Sequence, residues 1–159
     1  MPNKVHERVW DSFRLLEPGI TPLHYVLLRS CPLLKGAQPE SLYPGPPNLA
    51  IMRELLERGA SPNLATQRSG RTPLMLAAAF GFEEAIELLL EFGAKLETES
   101  KYGERDAAEW ADISAGGGRF PELAKKLRNP QWAIDAQARR AASQPSKVAN
   151  AAAVTTEHG

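Results

Sequence analysis

The chain has 159 residues, enough for one modest domain with flanking segments, and its 43% hydrophobic and 24% charged residues are those of an ordinary globular protein. Its 19 basic residues cancel its 19 acidic ones and no four basic residues adjoin, so it lacks the basic excess that attracts nucleic acid or an anionic membrane. A single cysteine, Cys31, excludes an internal disulfide or a cysteine-rich metal site, no apolar run reaches the ~18 residues of a membrane span, and residues 1–16 have no apolar centre of a secretory signal.

In chain order, Val5 to Leu16 reads as a helix, and residues 1–18 are expected to cap the N-terminal end of the domain that begins at Gly19. Gly19-Ile20-Thr21-Pro22-Leu23-His24 then starts a helix, because Thr is a good N-cap and Pro fits the first turn, where its missing N–H would be an orphan anyway. The same pattern returns as Gly70-Arg71-Thr72-Pro73-Leu74-Met75. The stretches before Gly59-Ala60 and Gly93-Ala94 are amphipathic helices, each ended by the residue that best accepts a left-handed C-cap, and the two pairs lie 34 residues apart. The two Thr-Pro-Leu starts are 51 residues apart instead. The excess is the 31–47 segment, with five of the 13 prolines, read as a loop inserted between the two helices of the first unit. It is either a recognition loop or a tolerated surface insertion, since loops of this length are often one or the other.

A third copy is degraded. Asp106 falls where Thr72 predicts an N-cap, Ala107 to Ala111 comes after it, and a second helix spans Pro121 to Arg128 after Gly116-Gly117-Gly118. A further helix is expected over 129–143, with Trp132 and Ile134 packing on the last unit, and residues 144–159 read as a disordered tail.

These residues resemble the ankyrin repeat, whose unit of about 33 residues has a T-P-L-H-x-A helix and a second helix ending in L-L-x-x-G-A. The matching residues are Thr21-Pro22-Leu23-His24, Leu55-Leu56-Glu57-Arg58-Gly59-Ala60, Thr72-Pro73-Leu74, Ala77-Ala78 and Leu89-Leu90-Glu91-Phe92-Gly93-Ala94. The resemblance covers residues 19–128. It departs at the insertion, at Tyr25-Val26-Leu27, which replaces small residues, and in the third copy, which loses Thr-Pro-Leu. It implies an all-α fold: a short solenoid of about three helix–turn–helix repeats with helical flanks. One repeat cannot bury its own apolar face, whereas about three stacked units can.

The resemblance further implies a protein-interaction module, a scaffold or adaptor that binds a protein partner, is expected to be a monomer, and has no cofactor and no catalytic residues. The neutral charge, the single cysteine, the scattered histidines and the lack of a signal or membrane span add the expectation of a cytoplasmic or nucleocytoplasmic chain without nucleic acid, membrane or metal. In this family the first helices line a concave face and the hairpin tips project beside it. Tyr25, Leu76 and Trp110 fall at equivalent positions that the family exposes there, with Leu28, Ala79 and Ile113 in a second column and Arg29 and Phe80 in a third. Exposed apolar surface of this kind marks partner sites, and Tyr, Trp and Arg are frequent hot spots. The expected binding residues are therefore Tyr25, Leu28, Arg29, Leu76, Phe80 and Trp110, together with Gln67, Arg68, Lys101 and Tyr102 at the tips, beside Thr66 and Ser100. The competing reading buries Tyr25 and Trp110 in their irregular end repeats. A second functional class, an enzyme or small-molecule binder, requires Cys31, His24 or the glycine triplet to converge in one pocket; the resemblance instead assigns His24 to tying down backbone at its helix start. A third reading makes the chain a docking piece of a larger complex.

Overall fold

The computed structural model describes residues 18–31, 45–97, 106–113 and 120–144. The expected capping helix up to Glu17, most of the insertion, Ser100, Lys101, Tyr102, the glycine triplet and the tail beyond Gln144 lie outside these residues. The described elements are all helical: α1 (Pro22–Arg29), α2 (Leu49–Glu57), α3 (Pro73–Phe80), α4 (Glu83–Glu91), α5 (Ala107–Asp112), α6 (Pro121–Leu127) and α7 (Pro130–Ser143). None is long and apolar enough to cross a membrane.

The helix starts are set by local chemistry. The Thr21 and Thr72 hydroxyls accept from the backbone N–H groups of His24 and Met75, and Asp106 forms a capping box with Glu109. Asn48 caps α2 immediately after the insertion, so the repeat regains its register there. The ends are equally specific. Ala60 donates to Leu55 and Gly59 to Leu56; Ala94 and Gly93 repeat this with Leu89 and Leu90. Both pairs of bonds form Schellman motifs around glycines at φ +96° and +87°, a conformation costly for any residue with a Cβ.

The helices form two rows. The inner helices pack α1 on α3 and α3 on α5, while the outer row sets α2 beside α4. Each outer helix lies behind its own inner helix. The core runs through both rows: Leu23 and Leu27 of α1, Met52 of α2, Leu74 of α3, Ile86, Leu89 and Leu90 of α4, and Leu123 and Leu127 of α6 are buried. Ala77 and Ala78 of α3 are fully buried, because that helix has an inner neighbour on either side and small side chains let backbones approach. Half-buried Val26 stands at the position equivalent to Ala77, on a helix with an inner neighbour on one side only among the described elements.

α7 departs from the expected packing. It lies along α4 more extensively than along α6. Lys126, just ahead of α7, pairs with Glu83 at the start of α4, and the Arg140 guanidinium sits 4.0 Å from the Phe92 ring centroid at the end of α4. α7 is therefore parallel to α4 and takes the place beside it in the outer row. Trp132 and Ala136 face the stack, whereas Ile134 is exposed rather than packed on it.

Candidate interaction surface

The connection between α2 and α3 is a tight hairpin. The Thr66 N–H donates to the Arg71 carbonyl at 2.9 Å, the Gly70 N–H to the Thr66 carbonyl at 3.0 Å, and the Arg71 N–H to the Thr66 hydroxyl at 3.2 Å. Thr66 is thus a buried organiser of the loop rather than an exposed tip residue. Gln67 and Arg68, next in sequence, are exposed. The Gln67 N–H donates to the Pro18 carbonyl at 2.9 Å, and a Cβ on Gly19 would lie 2.9 Å from the Gln67 nitrogen. The tip therefore sits against the chain entering α1.

His24 joins the same region to the next repeat. Its Nδ1 accepts from the Thr21 N–H at 3.2 Å, which leaves the proton on Nε2 to donate to the Arg71 carbonyl at 2.8 Å. Both ring nitrogens are occupied by backbone, and the residue is fully buried. Cys31 is buried as well, so two of the three groups needed by the enzyme reading serve the interior.

Along α1, Tyr25 is 53% exposed and Arg29, one turn on, is exposed too. From Thr21 to Arg29 the helix rises roughly 12 Å, with Gln67 held against the chain entering it and Tyr25 and Arg29 exposed along it. Among the described residues, neither α1 nor the 61–72 connection carries a carboxylate. The outer helices α2 and α4 hold six: Glu54, Glu57, Glu83, Glu84, Glu87 and Glu91. On that side Arg53 pairs with Glu91, and Arg139 donates to Glu87, as does the Trp132 indole N–H. The Arg139 hydrogen bond is the main reason that the Glu87 carboxyl titrates below the usual glutamate range.

The expected apolar column on the inner face does not exist as an exposed surface. Leu76, equivalent to Tyr25, is only 3% exposed; Phe80, Trp110 and Leu28 are buried too. Every residue of α3 is buried, as befits a helix with no polar side chain from Pro73 to Phe80. The Arg71 guanidinium lies 4.6 Å from the Trp110 ring centroid and screens the indole, and Phe80 meets Phe82 edge-on at 5.8 Å. Leu28 turns into the core of α1. Ala79 is buried and Ile113 half-buried, so the second column is not a surface either.

Sequence reasoning missed Asn63. Its amide donates to the Gly93 carbonyl at 3.0 Å and accepts from the Lys95 N–H at 2.8 Å, clamping one repeat's connection to the next. An Asn just after Ser61-Pro62 is the one available signal. Its equivalent one repeat on is Glu97, which cannot donate, so comparison of the copies hides it.

Residues 45–127 match the family model of ankyrin repeats in three copies, which is more than half of the chain. The chain belongs to the ankyrin-repeat family. The match starts within the last residues of the 31–47 insertion, just ahead of α2, where the repeat regains its register. Among curated relatives, the putative ankyrin repeat protein YahD of Escherichia coli K12 is 56% identical over 45 residues, 28% of this chain and 22% of that protein. Protein fem-1 homolog CG6966 of Drosophila melanogaster is 39% identical over 85 residues, 53% of this chain and 12% of that protein. The putative ankyrin repeat protein FPV115 of fowlpox virus is 37% identical over 83 residues, 45% of this chain and 15% of that protein. The ankyrin stack therefore spans less than a quarter of each of these relatives.

Proposed function

We propose that this chain binds a protein partner along the first-repeat edge formed by Tyr25, Arg29, Gln67 and Arg68. Ankyrin repeats are in general protein-interaction modules. The observation that carries the finer reading is Tyr25, a half-exposed aromatic at a position that the next repeat buries completely. Tyr presents a large amphipathic contact at low entropic cost, and the neighbouring guanidiniums favour carboxylates and backbone carbonyls on the incoming segment. The fitting partner is a segment that sets an apolar or aromatic side chain against Tyr25 and offers acceptors to Arg29 and Arg68. The engagement of His24 by backbone on both ring nitrogens speaks against a catalytic use of this region. The three relatives, each much longer than the matched stretch, support placing such a module within a larger assembly.

A pull-down from source-cell lysate with the wild type and a Tyr25→Ala/Arg29→Ala variant tests this. Both side chains are exposed, so circular dichroism of the variant should match the wild type. A partner held by the wild type and lost by the folded variant is the expected result. Equal capture by both moves the site elsewhere on the molecule.

A further inference from the structure

α7 is the longest of the described helices and the least buried. Of its 14 residues only Ala136 is buried, with Trp132 and Ala133 half-buried, whereas nine-residue α4 buries Ala85, Ile86, Leu88, Leu89 and Leu90. The single branched aliphatic side chain of α7, Ile134, is 56% exposed. A helix in a protein draws most of its stability from an apolar face packed on its neighbours. α7 has little of that face and is held by other means.

The Glu87 carboxylate of α4 accepts from the Arg139 guanidinium at 3.0 Å and from the Trp132 indole N–H at 3.4 Å, and the Arg140 guanidinium lies over the Phe92 ring. The Arg139 and Glu87 side chains are 55% and 40% exposed, so salt reaches their pair. The Arg140 Nε atom is buried with no hydrogen-bond acceptor among the described residues, a cost that leaving the berth removes. The joint between α6 and α7 is Arg128 and Asn129, both exposed. α6 has anchors of its own: Leu123, Ala124 and Leu127 are buried, and Lys126 pairs with Glu83. Nothing in these contacts obliges α6 to move when α7 does.

We propose that α7 is a strap that lifts off α4 as one unit, turning about Arg128 and Asn129, while the repeat stack stays folded. Lifting uncovers Phe92 and Trp132 and frees Glu87. The strap is fastened by charge, so salt loosens it, whereas the apolar inner row does not respond in that way. A detached helix of 14 residues is marginal in water, so the amides of α7 lose protection when it lifts. The inference is independent of the partner site proposed above, which lies on α1 and the 61–72 connection.

Hydrogen–deuterium exchange of the full chain, read residue by residue by NMR, tests it. In the wild type, the amides from Ile134 to Ala142 should exchange at least about tenfold faster than those of α3 and α4, as a unit that opens below the global transition. Raising sodium chloride from about 0.05 M to about 1 M should widen that gap about twofold, because screening weakens the Glu87–Arg139 pair. Glu87→Gln keeps an acceptor but drops the charge. It should speed exchange about threefold along the whole of α7 and leave α3 within about 1.5-fold of the wild type. Exchange of α7 in step with α3 and α4 overturns the proposal. So does a Glu87→Gln effect that fades from Ala142 towards Ile134, which is fraying of a helix end. So does α7 exchange at the rate of unprotected amides that neither salt nor Glu87→Gln alters, which is a helix without a seat. Should Glu87→Gln loosen α3 as well, Arg139→Gln on the more exposed side of the pair decides: unchanged α7 exchange in that variant overturns the proposal.

Discussion

The first and second repeats share a helix start, Thr-Pro-Leu, and then diverge. In the second, α3 lies between α1 and α5 with α4 behind it, and all eight of its residues are buried. In the first, α1 has a described inner neighbour on one side only and exposes Tyr25 and Arg29 at the positions of Leu76 and Phe80. The inner repeat is specified by packing: small Ala77 and Ala78, and no polar side chain. The end repeat is under looser steric control, so bulky Val26, aromatic Tyr25 and charged Arg29 are all accommodated. In this stack, burial concentrates in the middle repeat, and the exposed aromatic and basic side chains Tyr25 and Arg29 lie at its edge.

Core truncation breaks the comparison hardest. Leu74→Ala in α3 should cost about 2–5 kcal/mol, the usual range for a buried leucine, while Tyr25→Ala in α1 should stay within about 0.5 kcal/mol. Urea unfolding followed by circular dichroism measures both, and equal losses would remove the distinction between the repeats. His24→Ala comes next. It takes away the acceptor of the Thr21 N–H and one donor to the Arg71 carbonyl, inside the junction of the two repeats, and should cost about 1–3 kcal/mol. Gly81→Ala should cost about 1–3 kcal/mol as well: its φ of +75° disfavours a Cβ, and that atom would lie 2.5 Å from the Phe120 ring. Phe120→Ala in the same chain should return the steric part, read as a smaller penalty for Gly81→Ala in that background.

The smallest effect lies on the outer row. Arg139→Ala should cost about 0.2–1 kcal/mol at low salt and less at high salt, since both partners are substantially exposed. The folded chain holds the Glu87 carboxyl below its unfolded value, so this contribution is present above the ordinary glutamate range. It is lost as pH falls from about 4.5 through the lowered folded value, because the unfolded chain takes up the proton first. Urea midpoints across that window should converge for wild type and Arg139→Ala on acidification.

The repeat was legible because its signals are local. Thr21, Thr72 and Asp106 cap the helices that they precede, and Gly59 and Gly93 adopt the left-handed conformation demanded just past a helix. Each states a backbone requirement that a single residue type meets best, and no distant contact is needed to recognise it. The partners of these residues were not legible. The His24–Arg71 bond joins residues 47 apart, and Asn63 acts on Gly93 and Lys95 in the next repeat. The surface columns failed for a related reason. Exposure belongs to a position only when its neighbours are known, and the same column holds an open Tyr25, a sealed Leu76 and a Trp110 roofed by Arg71. The helix of α7 was legible from its composition. Its berth along α4 was not, because it rests on Glu83, Glu87 and Phe92, which are distant in sequence.

That berth has a bearing on how such an array lengthens. A repeat appended after Arg128 would have to evict α7 from the place that it occupies. A duplication of the 34 residues 60–93 would instead carry a fresh copy of Glu83, Glu87 and Phe92, and with them a ready socket for the same closing helix. Lengthening by such an internal duplication would keep the contacts that hold α7.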